Sequence, residues 1–499
     1  MSAPSRQLTI YEINTWVWLS DLSKKSNAPI DLSSVPPAEW DAIAQCGFDV
    51  VWLMGVWERS PAGIAIANRN ASLMDDFHRA LPDFRPADNV GSAYCARRYV
   101  VDHHLGGPEG LAIARHELSS RGMRLLLDFV PNHMAPDSPW IVDHPEHFME
   151  KNARDLENDP GSCTRVGEKI FACGRDPYFP AWPDVVQVNA FEPTFRQTAT
   201  KLLLEVADQC DGLRCDMAML LLNNIFARTW NERAGEMPAT EYWHDVIAAV
   251  RQEHPQFLFI AEAYWDLEWE LQQQGFDYCY DKRLYDRLEH EEVEGVRLHL
   301  SAELGYQQKL LRFIENHDEP RASVAFPSTK GRAAAIAIAT IPGAKLLHEG
   351  QFEGRQARVP TFLGRRAEEP VDAACQTFYK KLLTAIDSPP FRDGQWALCN
   401  CSGWPDNPSF QRIAAWSWTK GDDRRLVVVN LSDSAVQARV HLPWDNVGGK
   451  TWRLDDALSD AGYDREGDEM KNDGLYIELA PWAGQILAFH AIGSPAEHR

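Results

Sequence analysis

The sequence predicts an α/β protein: a closed (β/α)8 TIM barrel, a small inserted domain after its third strand, and a C-terminal antiparallel β-sandwich. Three observations carry that expectation. Short apolar runs alternate with amphipathic, helix-like stretches over most of the chain, which is the pattern of parallel βα units. There are eight such runs, the number that closes a barrel. After about Pro389 the apolar period switches to two, as in half-buried antiparallel strands.

The eight runs are TIYEIN, FDVVWLMG, RLLLDFVPNH, GLRCDM, FLFIAEAYW, FDYCYD, LLRFIENHDE and AKLLHEG. Between them lie helix-like stretches such as PEGLAIARHELSSRG, EYWHDVIAAVRQEHP and RAAAIAIATIPG. The third and fourth runs are separated by a Pro-, Asp- and aromatic-rich stretch too long for a plain loop, so a small domain is expected there. A second long insertion, Glu58 to Tyr99, follows the second run. The barrel is thus expected over 1–133 and 194–388, the inserted domain over 134–193 and the sandwich over 389–499. The sandwich segments are IAAWSWT, RLVVVNLS, ARVHLPW and LYIELAPWAGQILAFHA. Covering the barrel is the expected task of this sandwich, with carbohydrate binding as the alternative.

A chain of 499 residues accommodates such a barrel of about 250 residues or more with satellites. Its hydrophobic content of 44% and charged content of 24% are those of a globular protein, and no apolar run is long enough for a membrane span. The net charge of -22 argues against nucleic acid as partner, because phosphate binding needs a basic surface. The opening MSAPSRQLTIYEINTWVWLS lacks a basic region, apolar stretch and small-residue cleavage site, so a cytoplasmic setting is expected. Ten cysteines without a CxxC pair fit reduced thiols, as at Cys46, Cys210 and Cys215; Cys163 and Cys173, flanking one loop, are the pair that could join. His103 and His104 invite a metal reading, against which stands the expectation that adjacent side chains diverge.

In a (β/α) barrel the carboxyl ends of the strands converge on one pocket, so polar groups there are candidates for chemistry. The third run ends with Asp128, Asn132 and His133, the fourth with Arg214 and Asp216, the fifth with Glu262, and the seventh with His317 and Asp318. Three carboxylates, Asp216, Glu262 and Asp318, thus come from three strands. Glycoside cleavage needs one carboxylate as nucleophile or base and a second carboxyl group to protonate the leaving oxygen. Arg214, two residues from Asp216 and so on the same side of a strand, keeps that carboxylate ionised. The apolar neighbours of Glu262 in FLFIAEAYW are expected to raise its pKa and suit it to acid duty.

DFVPNH, GLRCDMAM, IAEAYW and FIENHDE, in this order, resemble the four signature regions of the α-amylase superfamily, glycoside hydrolase family 13. WPDVVQVNAFEPTFRQ resembles the additional region near the end of that family's inserted domain, and the likeness covers roughly residues 8 to 385. The resemblance implies a retaining mechanism with Asp216 as nucleophile, Glu262 as acid and base, and Asp318 holding sugar hydroxyls and favouring the distorted ring. It makes Asp128, Arg214, His133 and His317 substrate-binding or orienting groups. Through GSAYCARRY it makes Tyr94 the stacking platform under the first donor sugar. Trp182 and Trp265 are the tryptophans expected near the site.

Several positions depart from the family's pattern. The chain reads MAMLLLNN where many amylases carry a Lys-His pair after the nucleophile, and Gly91 stands where some sucrose-acting relatives have an Asp. No cofactor is required by this reading. A bound Ca2+ would involve Asn132, which occupies the position of a usual calcium ligand. The activity implied is hydrolysis of α-glucosidic bonds in short oligosaccharides, with an α-glucoside or malto-oligosaccharide as the partner molecule. Transfer of the glycosyl group to a sugar acceptor is the second reading. A barrel that has lost catalysis is the third, opposed by the presence of all three acidic residues. Neither linkage nor oligomeric state is legible.

Overall fold

The structure, a computed structural model, describes residues 7–327 and 329–493. Eight parallel strands form a closed barrel: β1 (Thr9–Asn14), β2 (Val50–Met54), β3 (Arg124–Phe129), β4 (Gly212–Cys215), β5 (Leu258–Ala261), β6 (Tyr278–Tyr280), β7 (Leu310–Arg312) and β8 (Ala344–His348). Each strand neighbours its predecessor in sequence, and β8 neighbours β1. All eight coincide with the expected runs. Strands covered on both faces read as unbroken apolar stretches, and β2, β4, β5 and β8 are buried throughout.

The chain divides into two compact units, Ile10–Tyr280 with Ala357–Glu368, and Met1–Thr9 with Asp281–Gln356 and Glu369–Arg499. In the first, the register pairs Arg214 with Asp128 on one side and Ile260 on the other, which brings the ends of β3, β4 and β5 level. The segment after β3 folds into a five-stranded sheet of short strands, among them His133–Met134, Lys169–Gly174 and Trp182–Gln187. Cys163 pairs with Ala172 in this sheet, so its side chain and that of the next residue, Cys173, project to opposite faces. Both thiols are free, as are the other eight cysteines, and the suggested Cys163–Cys173 bridge does not form. After β2, strands Trp57–Arg59 and Ala96–Val101 pair antiparallel around two helices.

In the second unit, nine C-terminal strands make a six-stranded and a three-stranded sheet. Their shared core alternates along each strand, as with Leu426 and Val428, Val436, Ala438 and Val440, or Leu475, Ile477 and Leu479. The outer face of the larger sheet is buried too. Trp416 Nε1 donates to Thr340 Oγ1 at 3.2 Å and Trp418 Nε1 to Thr340 O at 2.6 Å, which ties the sheet to helix Thr329–Thr340. The sandwich thus serves the barrel's helical layer within this unit. No helix among the described residues is long and apolar enough to cross a membrane.

Because Trp418 is buried and fills this seam, Trp418→Ala should cost about 3–5 kcal/mol in urea unfolding followed by circular dichroism. A loss below about 1 kcal/mol would show that the seam is not a stabilising contact.

Candidate active site

The site in the first unit is built around Arg214. Its side chain leaves β4 between three aromatic rings, with the guanidinium 5.4 Å from Trp52, 5.0 Å from Tyr94 and 5.5 Å from Tyr280. Tyr280 also accepts from Nε at 3.2 Å. Two carboxylates complete the enclosure. Nη1 lies 2.7 Å from Asp216 Oδ1, and Nη2 lies 2.9 Å from Glu262 Oε2. Burial opposes the Arg214 charge, but Glu262, Tyr280, Tyr94 and Asp216 outweigh it and hold the guanidinium well above the ordinary arginine range. It is a permanent cation between two acids.

Backbone geometry fixes those acids. Asp216 N donates to Phe129 O at 2.8 Å and Glu262 N to Cys215 O at 3.0 Å, so each follows its strand as a continuation of the ladder. Met217 then turns left-handed, with φ of 43°. Its amide donates to Glu262 Oε2 at 2.6 Å, while the Tyr264 hydroxyl donates to Oε1 at 2.9 Å. The setting of Glu262 is therefore not the apolar one its sequence neighbours suggest. Its flanking residues point elsewhere, and a cation from the adjacent strand with two donors surrounds the carboxylate.

Asp128 is buried, with Oδ2 accepting from Gly55 N at 2.8 Å and Oδ1 lying 3.5 Å from the Tyr94 hydroxyl. Gly55 has φ of +74°, and a Cβ there would lie 2.6 Å from Arg59 Nη2, so glycine is required for this amide to reach Asp128. Arg59 Nη1 donates to Gly91 O at 3.2 Å and thereby holds the loop that carries Tyr94. His133 Nε2 donates to Tyr94 O at 3.0 Å, and the Trp182 ring lies 5.3 Å from the imidazole. Trp265 takes φ of 62° three residues after Glu262 and packs edge-on against Tyr178, centroids 4.7 Å apart.

In the second unit, His317 and Asp318 follow β7 and are brought together, with His317 Nε2 at 2.8 Å from Asp318 Oδ2. Asn316 Oδ1 accepts from the amides of Asp318 and Glu319 at 2.9 and 2.8 Å, which shapes the turn. Asp318 is 42% exposed, whereas His317 is buried.

Asn132 was the residue expected to meet a calcium ion. Its Oδ1 accepts from Gln187 Nε2 at 2.9 Å, and its Nδ2 donates to Gln187 Oε1 at 3.2 Å. The oxygen a calcium ion would use is committed to a reciprocal amide pair, and Gln187 Oε1 is equally committed, so these residues do not fit the ion. His103 and His104 also differ from expectation. Their rings lie 3.8 Å apart rather than diverging, because Asp102 draws both Nδ1 atoms to its Oδ1, at 3.5 and 2.9 Å. Sequence reasoning missed Trp52, Tyr280, Tyr264, Asp184 and Arg59. For Tyr280, the alternation in FDYCYD at a strand end was an available signal.

The His133 imidazole is pushed down to about 4 by burial, against the opposing pull of Asp184 and the hydrogen bond to Tyr94 O. Burial also raises the Asp184 carboxyl above its ordinary value. An unfolded histidine takes up its proton near pH 6.5, whereas folded His133 stays neutral to about 4. Acidification through that window therefore favours unfolding, on the order of 3 kcal/mol from this group, and above the window its contribution is intact. Stability of the wild type should fall more steeply between pH 6.5 and 4 than that of His133→Gln. Parallel stability curves for the two proteins would overturn the assignment. For the amide pair, EDTA is expected to leave the melting temperature unchanged, and a drop restored by Ca2+ would reveal a different ligand set.

No family model matches the chain. It is 24% identical over 406 residues to α-amylase MalA of Haloarcula japonica, covering 78% of this chain and 51% of that protein. It is 24% identical over 487 residues to the α-1,4-glucan:maltose-1-phosphate maltosyltransferase of Arcanobacterium haemolyticum, covering 89% of this chain and 62% of that enzyme. The chain therefore spans about half to three fifths of the length of these curated relatives. Among solved structures, it superposes on the maltogenic α-amylase AmyB of Thermotoga neapolitana with a TM-score of 0.68 at 18% identity, over 97% of this chain and 98% of that one. The α-amylase of Geobacillus thermoleovorans, solved with acarbose, gives 0.67 at 16% identity over 97% and 98%. The chain has the fold of the α-amylases.

Proposed function

We propose that this chain is a retaining glycoside hydrolase of the α-amylase type, cleaving α-glucosidic bonds in short oligosaccharides through a covalent glycosyl-Asp216 intermediate. The observation that carries the reading is the Arg214 guanidinium in ion-pair contact with both Asp216 and Glu262 at the ends of adjacent strands. One guanidinium spanning both carboxylates suits the roughly 5 Å separation of a retaining pair better than the wider gap that admits a water.

In this reading Asp216, fixed by Nη1, attacks the anomeric carbon while Glu262 gives its proton to the leaving oxygen. Glu262 then takes a proton from the water that attacks the glycosyl ester. The proton on Glu262 has a physical source. Two carboxylates share one cation, and in this reading the excess negative charge of the enclosed pair is relieved by the proton that Glu262 carries into the first step. Met217 N–H, fixed toward Oε2, favours the charged carboxylate that must appear after the first step. Tyr94, Asp128 and His133 are proposed to contact the donor sugar, and Asp318 with His317 to bind its hydroxyls. The free thiols are consistent with a cytoplasmic setting.

A second reading, transfer of the glycosyl group to a sugar acceptor, is favoured by the likeness to the maltosyltransferase. Both readings use the same first step, and they separate when the intermediate meets water or a sugar hydroxyl.

With maltotriose or maltose as substrate, Asp216→Asn and Glu262→Gln should each lower kcat by roughly a thousandfold or more. A 2-deoxy-2-fluoroglucosyl fluoride should label the wild type on the peptide containing Asp216. Full activity of either variant, or labelling elsewhere, would sink the mechanism. Shortened sugars in proportion to substrate lost would establish hydrolysis, whereas longer sugars formed in the presence of glucose would establish transfer.

A further inference from the structure

The second unit contains a cavity of about 610 Å³ with no part in the site around Arg214. It opens between residues 322–327 and 329–332, the loop from Gln351 to Gln356, and helix Ala373–Ile386. The size falls within the range of ligand pockets, about 300–1,000 Å³.

The lining is selective about what it leaves available. Phe378 presents an aromatic face, and the Arg332 guanidinium lies over that ring at 5.6 Å. Arg332 forms no ion pair among the described residues, and the Gln356 carboxamide has no hydrogen bond there. The acid in the lining, Asp372, caps the helix through Oδ1, which accepts from the amides of Ala374 and Cys375, and leaves Oδ2 to the cavity. A guest therefore meets an apolar ring, a forked donor, a carboxamide and one carboxylate oxygen that can accept from a hydroxyl. A pyranose matches this set: its apolar face covers an aromatic ring while vicinal hydroxyls meet a planar pair of donors.

We infer that this cavity is a second carbohydrate-binding site, taking a short malto-oligosaccharide apart from the one being cleaved. The inference rests on the glycosidase reading for its choice of sugar. Its position also gives it a consequence. Ala322, in the cavity wall, donates its amide to Glu315 Oε2 at 2.6 Å, and Glu315 Oε1 accepts from Arg321 Nη1 at 2.6 Å. That buried pair closes the loop bearing His317 and Asp318. Gln351, also in the wall, accepts from His348 N at 3.1 Å, and His348 Nδ1 lies 3.2 Å from Glu315 Oε1. A sugar seated in the cavity thus bears on the residues that hold the Asp318 loop.

The test is calorimetric titration of full-length Asp216→Asn, which prevents turnover, with maltotriose. Two classes of site are expected. Adding Arg332→Ala, at an exposed position, or Phe378→Ala should weaken one class about tenfold and leave the other unchanged. One class only, insensitive to both substitutions, would overturn the cavity site while leaving the glycosidase reading intact. Absence of binding, together with no turnover of maltotriose by the wild type, would remove both. Inorganic phosphate displacing maltotriose from the Arg332-dependent class would overturn the sugar assignment in favour of an anion.

Discussion

A buried guanidinium is the constraint around which the first unit is arranged. Arg214 is 1% exposed, and a cation withdrawn from water to that extent is stable only with compensating charge and oriented dipoles. The chain provides Asp216, Glu262, the Tyr280 hydroxyl and three ring faces. Removing either acid would take away one of the two carboxylates that enclose the guanidinium, so both are tied to the cation in stability. This is why the level register of β3, β4 and β5 matters. A slip of one residue would turn Arg214, and Asp216 with it, away from Glu262 and expose both charges to the apolar layer behind the strand.

Local backbone conformation completes what the register begins. Met217 leaves β4 left-handed and thereby aims its amide at Glu262, and Gly55 does the same for Asp128. Trp265 and Asp266, both with φ of 62°, form a further strained turn just after Glu262. Non-glycine residues in this region cost on the order of 1–3 kcal/mol each and persist only where their surroundings over-determine them. Here the ring of Tyr178 against Trp265, itself covered by Arg228 at 5.1 Å, supplies such surroundings.

The barrel was legible because parallel strands buried on both faces leave unbroken apolar runs, and the sandwich because its inward residues alternate. Strand ends were less legible: RLLLDFVPNH reads as one run, yet β3 stops at Phe129 and pairing resumes at His133 in a different sheet. At the site, Arg214 and Asp216 could be paired from their spacing alone, since two residues on one strand share a face. Glu262 could not be read in that way. Its apolar sequence neighbours face into the core, while its own carboxylate is governed by Arg214 from the next strand, and that contact has no trace in local composition. Asn132 and Gln187 illustrate the same limit, for 55 residues separate two amides that satisfy one another.

The way Glu262 is held bears on how one carboxyl group can serve first as acid and then as base. An apolar pocket alone would favour the protonated form throughout and resist the return to carboxylate. A cation and an N–H donor alone would favour the carboxylate throughout and resist the first proton transfer. Arg214 shared with Asp216 avoids both extremes. On the proposed reading, while Asp216 is charged the two acids share one guanidinium and a proton on Glu262 would relieve the excess. Esterification of Asp216 would then remove its charge and leave the guanidinium to Glu262, so that the carboxylate would become the favoured state when a base is needed. On that reading the switch in role would follow from charge balance around a single cation.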